Sequence, residues 1–165
     1  MKQIPKFLSK CVNVKYSKEE RRRDKVIVCV VVDDNNGMMF NQRRQSKDRI
    51  LREQLLKMSE GSTLWMNEFT EKQFHGCMPA HVIVDNDLLE KAGESDYCFI
   101  EDLPLQEYEN KISKLVIFKW NRVYPADKQF DISLTEWTLE TTEEFEGSSH
   151  KLITKEVWIR GEKDQ

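Results

Sequence analysis

"KVIVCVVVDDNNGMMFNQRR", residues 25–44, places seven consecutive apolar residues, Val26 to Val32, directly before two acids, two asparagines and a glycine. A β-branched run without polar alternation is the pattern of a strand buried on both faces, as at the centre of a parallel sheet. Asn35-Asn36-Gly37 ends it, because these residues tolerate the positive φ that a turn demands. Asp33 and Asp34 therefore stand at the carboxyl end of a central strand, the end at which open parallel sheets collect their ligands.

Working outward, Leu51, Leu55 and Met58 recur at helical spacing with charges opposite them. This predicts an amphipathic helix from Ser46 or Asp48 to Ser59, with Gly61 as its stop. Short strands follow at 63–66, 82–84 and 97–100, separated by helical pieces at 71–74 and 87–92 and followed by another at 105–112. Alternating strand and helix imply a largely parallel sheet. After Lys114 the pattern changes to "KLVIFKW", "EWTLETTEEFE" and "KLITKEVWIR", strand-like runs joined by turns. They predict an antiparallel extension at one edge. The expected fold class is α/β, a central, mainly parallel twisted sheet flanked by helices with an antiparallel C-terminal part.

A chain of 165 residues fits one domain, assigned to 25–165, behind a basic N-terminal extension at 1–24. Residues 1–25 hold nine Lys or Arg against Glu19, Glu20 and Asp24, although the whole chain has net charge −3. The opening segment has no apolar run suited to secretion, and no stretch is long and apolar enough to span a bilayer, so the expected location is cytoplasmic and no membrane partner is expected. Cys11, Cys29, Cys77 and Cys98 are scattered without a CxxC, and Cys29 lies inside the valine run, which favours reduced buried thiols over disulfides or zinc ligands. His75, His81 and His150 show no metal-ligand spacing, which excludes a zinc hydrolase built on a His-rich motif.

The order of elements and three local stretches together resemble dihydrofolate reductase over roughly residues 25–160. "VVVDDNNGMMFN" looks like that family's first strand and following loop, "GSTLWMNEFTEKQF" like its second strand and next short helix, and the stretch from "YPADKQF" to "KEVWIR" like its antiparallel C-terminal part. The resemblance implies a pterin pocket bounded here by Met39, Leu51, Leu55 and Phe118. Leu51 falls where the family has its substrate-binding carboxylate, Phe118 where a threonine partners that acid, and Leu55 where an aromatic wall stands. Losing acid and partner together is coherent, since either polar group left alone in a closed apolar pocket costs about 1 to 3 kcal/mol. Asp48, one turn earlier, reads as a helix-start residue favoured by the dipole.

The positions that the resemblance assigns to NADPH have changed in the same direction. A Gly-Arg pair becomes Asn67-Glu68 and a Gly-Gly pair becomes Glu101-Asp102, leaving Thr70 as the remnant of the set. A phosphate site needs close backbone approach, free N–H groups and positive charge, and these side chains oppose it by bulk or sign. The primary expectation is a dihydrofolate-reductase-like scaffold without NADPH-dependent reductase activity, holding no cofactor and acting as a small-ligand-binding or regulatory protein. One alternative is a divergent enzyme whose acidic rim, Glu68, Glu101 and Asp102, binds a divalent cation against a phosphorylated or nucleic-acid substrate; the plainer reading of those acids is as solvated helix-start residues. A second is an active divergent dihydrofolate reductase. A third is nucleic-acid association through "KYSKEERRRDK" and "NQRRQSKDR", in which Tyr16 is the only aromatic.

Overall fold

The computed structural model describes residues 25–75 and 78–161; the basic extension 1–24, Cys11 and Cys77 lie outside the described residues. The valine run forms β1 (Val26–Val32), and its burial alternates between two cores. Val26, Val28, Val30 and Val32 enter one apolar cluster and Cys29 enters the other, with Ile27 and Val31 packed against the latter. A strand with a core on each side has no polar face to offer, hence the unbroken run.

The turn after β1 falls where the sequence placed it, and the structure shows which residue does what. Asn36, at φ 62°, carries the positive φ. Gly37 instead opens β2 (Gly37–Phe40), and it is glycine for lack of room: a Cβ there would lie 2.5 Å from Ala126 Cβ and 3.0 Å from Asp33 Oδ1. β2 turns through Asn41 and Gln42, both at positive φ, into β3 (Arg43–Arg44). This two-residue hairpin loop has the geometry that matches strand twist. Together with β8 (Lys128–Gln129) these strands form a second, three-stranded sheet, which the sequence pattern did not announce because strands of two to four residues carry no readable period.

The amphipathic helix is α1 (Arg49–Met58), capped by Asp48 at its start and Ser59 at its end, with Gly61 at φ 86° just beyond. It buries Leu51 and Leu55. Next come β4 (Leu64–Met66), α2 (Glu68–Glu71) running into a 3-10 turn at Lys72–Phe74, β5 (Val82–Val84), α3 (Leu88–Lys91) and β6 (Tyr97–Phe99). The stretch expected to be helical at 105–112 is a 3-10 helix, Gln106–Lys111. It leads into β7 (Ile112–Lys119), and β9 (Trp137–Phe145) and β10 (Ile153–Arg160) complete the main sheet.

The order across that sheet is β5-β4-β6-β1-β7-β10-β9, with β1 fourth of seven. β5, β4, β6, β1 and β7 are mutually parallel, and β10 pairs antiparallel with β7 and β9. β7 is thus both the last parallel strand and the first partner of the antiparallel extension. Cys29 and Cys98 are free, buried thiols, and burial pushes the Cys98 thiol up to about 12. No helix among the described residues is long and apolar enough to cross a membrane.

Candidate functional site

Because β1, β4 and β6 are parallel, the residues that follow them share one end of the sheet: Asp33-Asp34, Asn67-Glu68 and Glu101-Asp102. This is the acidic rim expected from sequence, yet its carboxylates do not face a common point. Asp33 is buried and accepts from the backbone N–H groups of Asn35 (2.8 Å), Gly37 (2.7 Å) and Tyr124 (2.9 Å), with Gln45 Nε2 at 3.3 Å. Burial opposes its ionisation, but these donors outweigh it and hold the carboxyl below its ordinary value. Asp33 therefore ties the β1–β2 turn to the 124 loop.

Glu101 is engaged by a neighbour that sequence reading did not single out. Arg44 donates from Nε to Glu101 Oε2 at 3.0 Å and from Nη2 to Oε1 at 3.1 Å, a fork-on-fork pair with side chains only 20% and 10% exposed. The guanidinium also donates to the Phe69 carbonyl at 3.0 Å and lies 4.5 Å from the Phe69 ring centroid. Asn67 accepts from Thr70 N–H at 2.9 Å, capping α2, and its Nδ2 donates to Asp102 Oδ1 at 2.9 Å. Lys128 Nζ reaches the Asp102 carbonyl at 2.8 Å. Thr70 is buried and is occupied as the first turn of that helix, and its Oγ1 has no partner among the described residues.

One expectation is corrected here. The reading of Glu68, Glu101 and Asp102 as solvated helix-start residues fails for Glu101, which is locked on Arg44. Their reading as cation ligands finds no geometric support, since among the described residues no group of three or more His, Cys, Asp or Glu is arranged to hold a metal ion.

The pocket residues divide between the two cores. Leu51, Leu55 and Phe118 share one closed cluster with Met66, Phe99 and Trp120, each at most 4% exposed. Met39, expected beside them, belongs to the cluster on the opposite face of β1. Its neighbour Met38 lines what space remains by Leu51, a cavity of about 20 Å³ that also touches Val31, Gln45, Gln73 and Phe99. That is room for about one water molecule. A wider cleft of about 430 Å³ opens outside it, lined by Gln42, Arg43, Arg44, Ser46, Lys47 and Phe69.

At the start of α1, Asp48 does more than cap. Its buried carboxylate accepts from the N–H groups of Leu51 (3.1 Å), Ser148 (3.0 Å), Ser149 (2.7 Å) and His150 (3.2 Å) and from Ser149 Oγ (3.0 Å). Burial works against ionisation, and these donors overcome it, holding the carboxyl far below the usual range. His150 is stacked on Trp120 with ring centroids 4.2 Å apart, and its Nε2 lies 2.8 Å from Tyr124 Oη. Burial lowers its pKa against the pull of the Asp48 carboxylate.

Serine, histidine and aspartate thus meet, but not as a nucleophilic triad. Ser149 Oγ has one proton and lies 2.7 Å from the Lys47 carbonyl and 3.0 Å from ionised Asp48, both of which can only accept. Toward His150 Nδ1, at 2.9 Å, the hydroxyl must therefore accept, which assigns the ring proton to Nδ1. A protonated Nδ1 cannot take the serine proton, and Nε2 faces Tyr124 instead. The cluster is a clamp that fastens the 147–150 turn to α1. Its signal in the sequence, Asp48 one hundred residues before Ser148, has no local pattern.

Comparison with solved structures finds a dihydrofolate reductase from Enterococcus faecalis, determined in complex with NADP(H) and RAB-propyl. The match has a TM-score of 0.64 and 9% sequence identity, covering 85% of this chain and 98% of that one. No family model matches the sequence. No curated protein matches it either. The chain therefore has a dihydrofolate-reductase-like fold, as its sequence suggested, at an identity where fold is all that the likeness carries.

Proposed function

We propose that this chain is a dihydrofolate-reductase-fold protein without NADPH-dependent reductase activity, and that it serves as a binding or regulatory protein for an anionic small molecule. The observation carrying this reading is the bidentate Arg44–Glu101 pair beside a 20 Å³ cavity, at the sheet end where the resembled enzymes hold substrate and cofactor. Small-molecule sites need about 300 to 1,000 Å³. The Enterococcus enzyme was solved with NADP(H); here Asn67-Glu68 and Glu101-Asp102 put side chains and negative charge where phosphates would need bare backbone and positive charge.

The outer cleft, at about 430 Å³, has the size of a ligand site. Arg43 and Lys47 stand exposed at it, Ser46 adds a hydroxyl, and Phe69 adds an aromatic wall, which together suit a planar anion. Calorimetric titration with NADPH and an assay of dihydrofolate reduction test the first half of the reading: an NADPH Kd of about 10 μM or tighter, or turnover above the uncatalysed rate, overturns it. Thermal shift with adenosine monophosphate tests the second half. The melting temperature should rise with ligand concentration, and Arg43→Glu with Lys47→Glu should abolish the rise.

A further inference from the structure

Arg44 borders both spaces at this end of the sheet, the cavity of about 20 Å³ and the outer cleft of about 430 Å³. A guanidinium carries five N–H donors. Nε and Nη2 each give one to Glu101, and Nη2 gives its other to the Phe69 carbonyl. The two on Nη1 meet no acceptor among the described residues, and solvent reaches that nitrogen. Glu101 holds one edge of the group, and the Phe69 ring covers one face, with 4.5 Å from the guanidinium carbon to the ring centroid. Two donors are thus fixed in direction and unspent.

Taking the outer cleft as the anion site proposed above, we propose that Arg44 Nη1 is its anchor and that the anionic group it receives is a phosphomonoester. Charge sets the class. Arg44 is neutralised by Glu101 and so supplies direction without net charge. Arg43 and Lys47, both exposed at the cleft, have no ion-pair partner among the described residues, so the cleft offers two unspent positive charges. A phosphomonoester carries a charge of about −1.5 to −2 at pH 7 and three terminal acceptor oxygens. A carboxylate or a phosphodiester brings a single charge and two such oxygens. Nη1 serves two of the three oxygens, and the Ser46 hydroxyl, also at the cleft, serves the third.

The segment presenting these groups is tied down on both sides of Ser46. Gln45 Nε2 lies 3.3 Å from Asp33 Oδ2 and 3.4 Å from the Pro125 carbonyl, and the Lys47 carbonyl accepts from Ser149 Oγ at 2.7 Å. Donors ordered before the ligand arrives lose little freedom on binding, which favours a small, highly charged group over a large flexible one. The Phe69 face toward Arg44 is already occupied, so the phosphate carries the larger share of recognition and the organic part the smaller. Glu101 acts in this site as a positioning residue: it aims Arg44 and does not touch the ligand.

Calorimetric titration of the full chain with adenosine monophosphate, 3′,5′-cyclic adenosine monophosphate and adenosine tests this. The monoester should bind at least about tenfold more tightly than the cyclic diester or the nucleoside. Arg44→Leu with Glu101→Leu removes both members of the pair, keeps the net charge of the cleft and strands neither partner; it should weaken adenosine monophosphate at least about tenfold, and so should Arg44→Lys, whose charge is kept and whose fork is lost. In NMR spectra of the guanidinium, adding adenosine monophosphate should move the Arg44 Nη signals while Nε–H, still bonded to Glu101, keeps its slow solvent exchange. Adenosine monophosphate that fails to bind the parent overturns this inference together with the anion-site reading. Binding that is abolished by Arg43→Glu with Lys47→Glu but stays within about threefold in both Arg44 variants overturns this inference alone. Equal affinity for the cyclic diester overturns it too, as does fast exchange of Nε–H on binding, which would mean that the anion draws Arg44 off Glu101.

Discussion

A carboxylate introduced at position 51 would enter a cluster where Phe118 offers no hydrogen bond and the free volume admits about one water. Leu51→Asp should cost several kcal/mol in denaturant unfolding at pH 7, and less at pH 4, because a buried carboxyl has a raised pKa and is tolerated better neutral. Equal stability of variant and parent at pH 7 would mean that Leu51 is solvated. Three residues earlier, Asp48→Asn keeps the shape of the clamp but turns one acceptor into a donor facing backbone N–H groups. A loss of about 2 to 3 kcal/mol is expected by urea titration. Gln42, at φ 63°, holds a left-handed conformation without the freedom of glycine. Gln42→Gly should therefore raise stability, by up to about 1 kcal/mol.

Two tertiary joints hold the elements of the site in place, and each makes a distinct prediction. The Arg44–Glu101 pair fastens β3 to the residues after β6. Arg44→Leu alone leaves Glu101 unpaired where its side chain is only 10% exposed, and Glu101→Leu strands the guanidinium. The double variant should be more stable than either single one, because the destabilisation comes from the orphaned charge and not from the missing attraction; a double-mutant cycle with coupling below about 0.5 kcal/mol would show the pair to be inert. The second joint is the 147–150 turn on α1. A Cβ at Gly147 would collide with Asp48 Oδ2 and lie 2.8 Å from Ile153 Cδ1, so Gly147→Ala should disrupt the clamp and lower the melting temperature by several degrees.

Across the whole molecule these local states combine into one acid limb. His150 has its pKa lowered below 6.5 by burial, so the unfolded chain takes up that proton first; stability is full above about pH 6.5 and declines as pH falls toward the folded value. Asp48 and Asp33 are depressed below 3.8, so their contribution is present above the unfolded value and is lost as pH falls through the folded values. Stability should therefore decline in two stages, one beginning near pH 6.5 and one below pH 4. His150→Gln should remove the first and Asp48→Asn most of the second. A single-stage decline in the parent would mean that His150 titrates alike in both states.

What the sequence determined by itself was the layered architecture: the valine run as a central strand, the α1 stripe of Leu51 and Leu55, and the change to antiparallel strands after Lys114 all follow from periodicity, which is a local property. The resemblance, read position by position, also carries the expectation that the family's acid, threonine and phosphate-site glycines are absent together. Only the tertiary structure decided which polar side chains meet at that end of the sheet. Arg44 meets Glu101 across 57 residues and Asp48 meets Ser149 across 101, and a pairing at such separation leaves no period or motif in the chain. The misplacement of Met39 has the same origin. Met38 and Met39 both join the cluster on the far face of β1 and only Met38 also lines the cavity by Leu51, an outcome of how β2 packs, with Gly37 crowded by Ala126 from 89 residues away.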